Sequence, residues 1–291
     1  MSRPIEAILA DQPKGEFEPV LADANLLSFR ERGFTSIARI TTDEEVAWLR
    51  EVYDWIYQAG RTPKAARFDL ARPYDSAGED LLPQIIAPER VLPALKDTLF
   101  WKNGRKVCAQ LLGVDEEVLN GWGHMIRKPP KTGAPLPWHQ DEAYWDPALV
   151  YRASGSWLPL DDATIENGCM SFVPGSHRGE VREHWHLGND PSVHALYCKP
   201  EASEVARAVP VPVPAGGCVF HQSRTLHASG PNTTDRVRRA YANEWQLAPV
   251  KADVAVQRRW IDEHKEAWAA RDIDDTRKTW AEKDAAEKEP G

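Results

Sequence analysis

The chain has 291 residues, a formal net charge of −8 and 42% hydrophobic residues, which is enough apolar material for a sizeable core and too much for a disordered chain. The acidic balance lacks the global basic footprint of a nucleic-acid-binding protein. No stretch approaches the roughly 18 apolar residues of a membrane span, and the N-terminus lacks the apolar stretch of a signal peptide. We therefore expect a cytoplasmic protein with neither nucleic acid nor membrane as partner, and the composition leaves its oligomeric state open.

The N-terminal part alternates between helical and extended patterns. Residues 34–40 are rich in β-branched and apolar side chains, which predicts a first strand. Thr42 and the acidic residues after it are typical of a helix start, and apolar residues recur at helical spacing over residues 46–59. Residues 60–85 carry several Arg and Pro and predict an irregular, mobile loop over a site, whereas residues 89–112 again favour helix.

From Gly121 onwards, short runs of β-forming residues alternate with Pro and Gly, which indicates an antiparallel sandwich or barrel. The predicted strands cover residues 124–127, 150–158, 169–173, 209–213, 217–221 and 239–247. The run VPVPVP at residues 209–214 fits an edge strand or a connector, because proline has no N–H to donate to a second neighbour. Residues 260–268 favour helix, and residues 278–291 form a charged tail.

These patterns predict one mainly β domain with flanking helices. We expect a helical part at about residues 1–120, a double-stranded β-helix (a jelly roll, as in cupins) at about 121–250, and a C-terminal helix and tail at about 251–291. The four cysteines are scattered without a CxxC motif, so we expect reduced, mostly buried thiols rather than disulfides or a zinc ribbon: Cys108, Cys169, Cys198 and Cys218.

Two histidines and one carboxylate predict a metal site. His139 and Asp141 are separated by one residue, so in a strand both side chains project to the same face. His227 must come from another strand, which antiparallel folding allows. Together the three residues match the two-histidine, one-carboxylate facial triad of non-haem Fe(II) oxygenases, which leaves three coordination positions open.

Other histidines compete for this role. His184 and His186 have the same spacing, but their surroundings are polar and predict a surface loop. We expect His221 to pack or hydrogen-bond near the rim of the barrel and His177 to lie in a turn. His124 is assigned no function, and a packed or rim histidine is the simpler interpretation.

An arginine beyond the second histidine favours a 2-oxoacid co-substrate. An Fe(II) oxygenase needs two further electrons, which oxidative decarboxylation of 2-oxoglutarate supplies, and the distal carboxylate of that molecule suits the planar fork of an arginine. Alternation places Arg238 on one strand face with the small Ala240 and Ala242. Taken singly, Arg236, Arg238 and Arg239 are equally typical of a solvated cluster.

Several motifs, in this order and spacing, closely resemble the phytanoyl-CoA dioxygenase family of Fe(II)- and 2-oxoglutarate-dependent oxygenases. They are FRERGF at residues 29–34, KPP at 128–130, WHQDEAYW at 138–145, NGCM at 167–170, VPGSH at 173–177 and the segment 227–238. The resemblance runs from about residue 28 to about residue 247.

The resemblance implies a role for particular residues. His139, Asp141 and His227 would bind Fe(II), and Arg238 would hold the distal carboxylate of 2-oxoglutarate. Ser229 would add a hydroxyl hydrogen bond to this co-substrate. Gln140 and Trp157 match positions that line the co-substrate pocket in relatives, although in a regular strand Gln140 points away from its neighbours.

The expected reaction is hydroxylation of a small molecule by O₂, with release of succinate and CO₂. Related halogenases replace the metal-binding carboxylate with a small residue, so Asp141 favours hydroxylation. An acyl-CoA substrate is an alternative, for which the basic residues of the 60–85 segment, including Arg67, are the candidate contacts. A 2-oxoglutarate-independent metalloenzyme on a cupin-like barrel is a second alternative. Tyr144 and Trp145 are either a substrate wall or core aromatics.

Overall fold

The computed structural model describes residues 3–58, 60–63, 66–74, 76–253 and 258–269. Its helices are α1 (Ile5–Ala10), α2 (Asp23–Arg32), α3 (Asp43–Ile56), α4 (Pro88–Val91), α5 (Leu99–Leu112), α6 (Ala202–Val205) and α7 (Arg259–Ala269). The charged tail predicted at residues 278–291 lies outside the described residues. No described helix combines the length and the apolar character that crossing a membrane requires.

Fifteen strands run through the described part of the chain. They are β1 (Phe34–Ile37), β2 (Arg67–Asp69), β3 (Pro83–Ile86), β4 (Asn120–Lys128), β5 (Leu136–His139), β6 (Leu149–Val150), β7 (Ala153–Pro159), β8 (Met170–Phe172), β9 (Trp185–His186), β10 (Leu196–Tyr197), β11 (Val209–Val211), β12 (Cys218–Gln222), β13 (His227–Ser229), β14 (Arg238–Gln246) and β15 (Val250–Lys251).

Two antiparallel sheets form the jelly-roll core. The larger sheet has the strand order β1-β12-β7-β14-β4-β3-β2, and the smaller one has the order β11-β8-β13-β5. Neighbouring strands in each sheet are often distant in sequence, as β12 and β7 are in the larger sheet and β13 and β5 in the smaller one. This architecture confirms the predicted fold class, while the division of the chain near residues 120 and 250 stays a prediction.

Apolar side chains cover both faces of the larger sheet and pack against helices on one face and against the smaller sheet on the other. One face packs against α3 and α5, where Leu49, Phe100 and Tyr241 belong to one buried cluster. The opposite face meets the smaller sheet, and the rings of Phe34 and Phe172 stack there with centroids 4.6 Å apart. The space between the two sheets is therefore enclosed by a rigid frame, which can position a functional site.

The start of α3 confirms the predicted helix signal. Thr42 is the N-cap, and its hydroxyl accepts a hydrogen bond from the Glu45 backbone N–H at 3.2 Å. The apolar residues predicted to share a helix face are all buried: Val46, Leu49, Val52, Tyr53 and Ile56. The four cysteines are free and buried, as expected.

The prediction of an irregular segment at residues 60–85 holds for most of its described residues, but two short strands interrupt it. The segment supplies β2 and β3, which extend the larger sheet beyond β4. Gln84 pairs with Ile126 of β4, and Phe68 in turn pairs with Gln84. Residues whose local pattern is ambiguous thus form strands because they pair with β4, which is distant in sequence.

The proline-rich run behaves as predicted. Val209, Pro210 and Val211 form the outermost strand of the smaller sheet, and they pair on one side only, with β8. Pro210 and Pro212 are exposed, and neither has an N–H to offer to a further strand.

Candidate metal centre

Three side chains converge between the sheets, close to one end of the smaller sheet. His139 is the last residue of β5, Asp141 opens the short 3₁₀ turn that follows, and His227 is the first residue of β13, directly opposite His139. One potential ligand atom of each residue lies within 4.8 Å of the other two. The Nε2 atoms of His139 and His227 are 3.7 Å and 3.5 Å from Asp141 Oδ1, which is a spacing that one metal ion can bridge.

Backbone hydrogen bonds orient both imidazoles. His139 Nδ1 donates to the Pro137 carbonyl and His227 Nδ1 donates to the Thr225 carbonyl, each at 2.8 Å. The Nε2 lone pairs are therefore directed at the centre of the site, as metal ligation requires. Burial lowers the pKa of both histidines, so they are in the neutral form that binds a metal.

His221 holds the carboxylate in place. Its Nε2 donates to Asp141 Oδ2 at 2.8 Å, which leaves Oδ1 facing the two ligand histidines. Burial by itself would raise the pKa of Asp141, but His227 and His221 outweigh it and lower that pKa below its ordinary value. His221 is only 5% exposed and lines the site, so its predicted rim position is corrected to an interior one.

A buried ion pair connects the elements that carry the ligands. Glu142, next to Asp141, is 1% exposed and accepts two hydrogen bonds of 2.8 Å from Nε and Nη2 of Arg224. Arg224 lies between His221 and His227 in sequence. This bidentate pair therefore fixes the turn that carries Asp141 relative to the segment that carries the two histidines.

The site opens into a cavity of about 370 Å³ between the sheets. Aliphatic and aromatic residues make most of its wall: Leu70, Leu82, Ile86, Trp122, Ile126, Leu136, Tyr144, Trp145, Trp157 and Met170. Tyr144 and Trp145 thus line the cavity, which favours the substrate-wall interpretation over the core one. A largely apolar pocket with a few convergent polar groups is typical of a small-molecule site.

Arg238 is the one Arg or Lys among the described residues that line this cavity. It is 2% exposed, its guanidinium carbon lies 5.2 Å from the centre of the Trp157 ring, and burial lowers its pKa to about 10. Its Nε and Nη1 have no hydrogen-bond partner within the described part of the protein. Buried donors are normally satisfied, so an anionic ligand with paired oxygens fits this position.

The strand face predicted for Arg238 agrees with the structure. Ala240 packs into the cluster between the two sheets, and Ala242 lines the cavity. Trp157, which pairs with Ala242, and Ser229 also line the cavity. The structure therefore brings Arg238, Ser229 and Trp157 together with the three ligand residues.

Gln140 does not join this group. Its side-chain amide donates to the carbonyls of Glu180 and Arg224 and accepts from the Arg182 backbone N–H. It is not among the residues that line the cavity. Gln140 keeps an extended backbone (φ −124°, ψ 132°), so its side chain points away from those of its neighbours and into the surrounding loops, and its contact with a co-substrate stays a prediction.

The remaining histidines include two corrections. His184 and His186 are 1% and 2% exposed, so they do not lie in a surface loop as predicted. His184 Nε2 accepts a hydrogen bond of 3.1 Å from the backbone N–H of Gln140, the residue between the ligands His139 and Asp141. His177 lies in a 3₁₀ turn, as expected. His124 lines the cavity, where burial lowers its pKa to about 4 and Trp122 Nε1 donates to its Nε2.

Glu244 is a cavity residue that sequence reasoning missed. It is 7% exposed and lies on the same face of β14 as Arg238 and Ala242. Strand alternation extended by two residues would have placed it there. An acidic residue at an inward position is the signal that could have drawn attention to it.

Comparisons with known proteins agree with this geometry. The phytanoyl-CoA dioxygenase (PhyH) family model matches residues 29–240. A probable alpha-ketoglutarate-dependent hypophosphite dioxygenase from Stutzerimonas stutzeri is 28% identical over 229 residues, which are 75% of this chain and 78% of that protein. A phytanoyl-CoA dioxygenase domain-containing protein 1 from Bos taurus is 35% identical over 139 residues, which are 47% of each chain.

Solved structures show the same similarity. EvdO2 from Micromonospora carbonacea var. aurantiaca, complexed with 2-oxoglutarate, is 39% identical with a TM-score of 0.75, and the match covers 85% of this chain and all 100% of that one. SnoK, a non-haem alpha-ketoglutarate-dependent carbocyclase from nogalamycin biosynthesis, is 26% identical with a TM-score of 0.62, and the match covers 79% of this chain and 86% of that one.

Proposed function

The chain belongs to the phytanoyl-CoA dioxygenase family, and we propose that it is an Fe(II)- and 2-oxoglutarate-dependent dioxygenase that hydroxylates a small molecule with release of succinate and CO₂. The observation that carries the proposal is the position of Arg238. A buried guanidinium, whose Nε and Nη1 have no hydrogen-bond partner among the described residues, lies in the same cavity as three convergent metal ligands. A metalloenzyme without a dicarboxylate co-substrate would have no use for this arginine.

The donor set fits the proposed metal. His139, Asp141 and His227 would hold Fe(II) through two neutral imidazoles and one carboxylate. When bound, the iron supplies the redox chemistry that couples decarboxylation of 2-oxoglutarate by O₂ to oxidation of the substrate. His221 keeps Asp141 oriented by its hydrogen bond, and the backbone contacts of His139 and His227 keep their Nε2 atoms available.

Three further residues would hold the co-substrate. Arg238 would bind its distal carboxylate through its guanidinium donors, with the Ser229 hydroxyl as an additional donor. The face of Trp157 supports the guanidinium and excludes water from it. The EvdO2 relative was solved in complex with 2-oxoglutarate, which supports 2-oxoglutarate as the co-substrate.

The retained carboxylate of Asp141 favours hydroxylation over halogenation, which would need that position to be small. The relative SnoK is described as a carbocyclase, so ring closure is a neighbouring outcome of related chemistry. An acyl-CoA substrate is not favoured. Arg67 donates to the Tyr57 carbonyl and pairs with Asp80, and it does not line the cavity.

Anaerobic visible absorption tests the proposal. The purified protein is titrated with Fe(II) and then with 2-oxoglutarate, beside an Arg238→Ala variant. A weak charge-transfer band should appear in the wild type and should need higher 2-oxoglutarate in the variant. Absence of the band from the wild-type protein would refute the assignment, and an unchanged midpoint in the variant would refute the role of Arg238.

A further inference from the structure

Glu244 is a buried carboxyl group that lines the cavity. Its Oε1 has no hydrogen-bond partner among the described residues, and no ion pair joins Glu244 to any of them. Burial, followed by the nearby charge of Asp141, raises its pKa well above the ordinary value. Burying such a group costs free energy unless something compensates it.

Gly155 forms the cavity wall beside this carboxyl group. Across the larger sheet, His221, Gly155, Glu244 and Trp122 occupy adjacent positions on four neighbouring strands. A Cβ added to Gly155 would lie 2.6 Å from His221 Cε1 and 3.2 Å from Glu244 Oε2. A larger residue at position 155 would therefore clash with His221 and crowd Glu244, and Gly155, His221 and Glu244 all line the cavity.

The charges of the proposed active complex leave Glu244 unmatched. Fe(II) and Arg238 together carry three positive charges, whereas Asp141 and doubly charged 2-oxoglutarate carry three negative ones. The described wall of the cavity holds no other Lys or Arg. In its ionised form Glu244 would repel a further anion, while a hydrogen-bond donor or a cation would satisfy the carboxylate and favour that form against the burial that raises its pKa.

Aromatic residues beside Glu244 add to this preference. Trp122 is its direct cross-strand neighbour, and the rings of Trp122 and Trp145 meet edge to face with centroids 6.1 Å apart. Aromatic side chains near a carboxylate provide a favourable environment for an ammonium group, and they also pack against the apolar part of an alcohol or a sugar.

We propose that Glu244 is a specificity-determining residue, which binds an N–H or O–H donor of the substrate, a protonated amine or a hydroxyl, and disfavours substrates that place an anion at the reacting end. This inference rests on the proposed function, because it assigns the rest of the cavity to Fe(II) and 2-oxoglutarate. It makes the substrate a donor-bearing molecule with an apolar or aromatic body.

Three probes with one ring and different end groups test the inference: phenethylamine, 2-phenylethanol and 3-phenylpropionate. Each is titrated calorimetrically into the anaerobic protein loaded with Fe(II) and 2-oxoglutarate, whose charge-transfer band is recorded first. If the band is missing, the proposed function has failed. If it is present, the titrations test Glu244 alone. We expect the amine or the alcohol to bind at least about 10-fold more tightly than the carboxylate.

Two substitutions distinguish the donors. Glu244→Gln removes the negative charge but keeps an acceptor oxygen, whereas Glu244→Leu removes the charge and the acceptor oxygens. Loss of about 10- to 100-fold in amine binding in Glu244→Gln would identify a protonated amine. Retention of alcohol binding in Glu244→Gln with loss in Glu244→Leu would identify a hydroxyl. Glu89→Gln is the matched control, because Glu89 is also buried but accepts from the Gly123 N–H outside the cavity.

Several results would overturn the inference. They are tightest binding of the carboxylate, no binding of amine or alcohol to the wild type at millimolar concentration, or binding that Glu244→Leu leaves unchanged. Thermal unfolding separates a structural role from this one. An unpartnered carboxyl group contributes nothing to the empty protein, so Glu244→Leu should unfold at the same or a higher temperature. A clearly lower unfolding temperature would assign Glu244 to the fold.

Discussion

The buried guanidinium of Arg238 allows a prediction in which stability and co-substrate affinity change in opposite directions. Arg238→Met keeps a long side chain that can pack against Trp157 but removes the charge and the donors. In the protein without ligand, these donors have no partner among the described residues, although the side chain is 2% exposed. The substitution therefore removes an unsatisfied group from the fold and the anchor from the co-substrate site.

The expected magnitudes follow from the two unpartnered donors. Losing one member of a buried, hydrogen-bonded charge pair costs about 2–5 kcal/mol of binding free energy, which is about 30- to 4,000-fold in the dissociation constant of 2-oxoglutarate. Replacing an uncompensated buried charge with an apolar residue of similar volume is neutral or stabilising by about 1–4 kcal/mol. At about 2–4 °C per kcal/mol, the unfolding temperature of the empty protein should stay constant or rise by several degrees.

Two assays on the same preparations measure both effects. Calorimetric titration of 2-oxoglutarate into the anaerobic Fe(II) protein gives the affinity, and thermal unfolding without either ligand gives the stability. Arg236→Ala is the control, since Arg236 is an exposed arginine on the same segment. Wild-type affinity in Arg238→Met, or a loss of several degrees in its unfolding temperature, would refute the reasoning.

Three further substitutions test the supports of the site. His221→Phe should weaken Fe(II) binding by about 10- to 100-fold because it removes the hydrogen bond that orients the metal-binding carboxylate, and unchanged affinity in a metal titration would contradict that role. Arg224→Met should cost about 2–5 kcal/mol in urea unfolding, because it leaves Glu142 buried without its partner; a loss below 1 kcal/mol would show that the pair is dispensable. Gly168→Ala should destabilise the protein by more than Gly188→Ala, since both glycines have positive φ but only at Gly168 would the new Cβ lie 2.3 Å from a backbone oxygen; equal losses would reject the steric argument.

The sequence was sufficient for features that depend on local periodicity and chemistry. Alternation along β14 predicted the inward position of Arg238, and the proline-rich run predicted an edge strand. The convergence of His139, Asp141 and His227 followed from ligand types and from antiparallel folding. The strand argument for Asp141 was incomplete, because β5 ends at His139 and Asp141 lies in a 3₁₀ turn.

The errors concern contacts between residues distant in sequence. His184 and His186 occur in a polar segment, but α7 covers them: the Trp260 ring packs against His184, and His186 Nε2 donates to the Trp260 carbonyl. The hydrogen-bond partners of the Gln140 side chain, the carbonyls of Glu180 and Arg224, are also distant in sequence, and no local pattern encodes them. Such burial arises from tertiary packing, which overrides the local composition.

The proline-bearing strand β11 has a consequence for self-association. An outermost strand offers its free N–H and C=O groups to any exposed strand of another molecule, and this is a common route to aggregation. Pro210 and Pro212 interrupt that row of donors and are exposed where a second copy would approach. The two prolines therefore disfavour pairing of a second copy at β11, so we expect no neighbouring chain added at this strand to close off the cavity between the sheets.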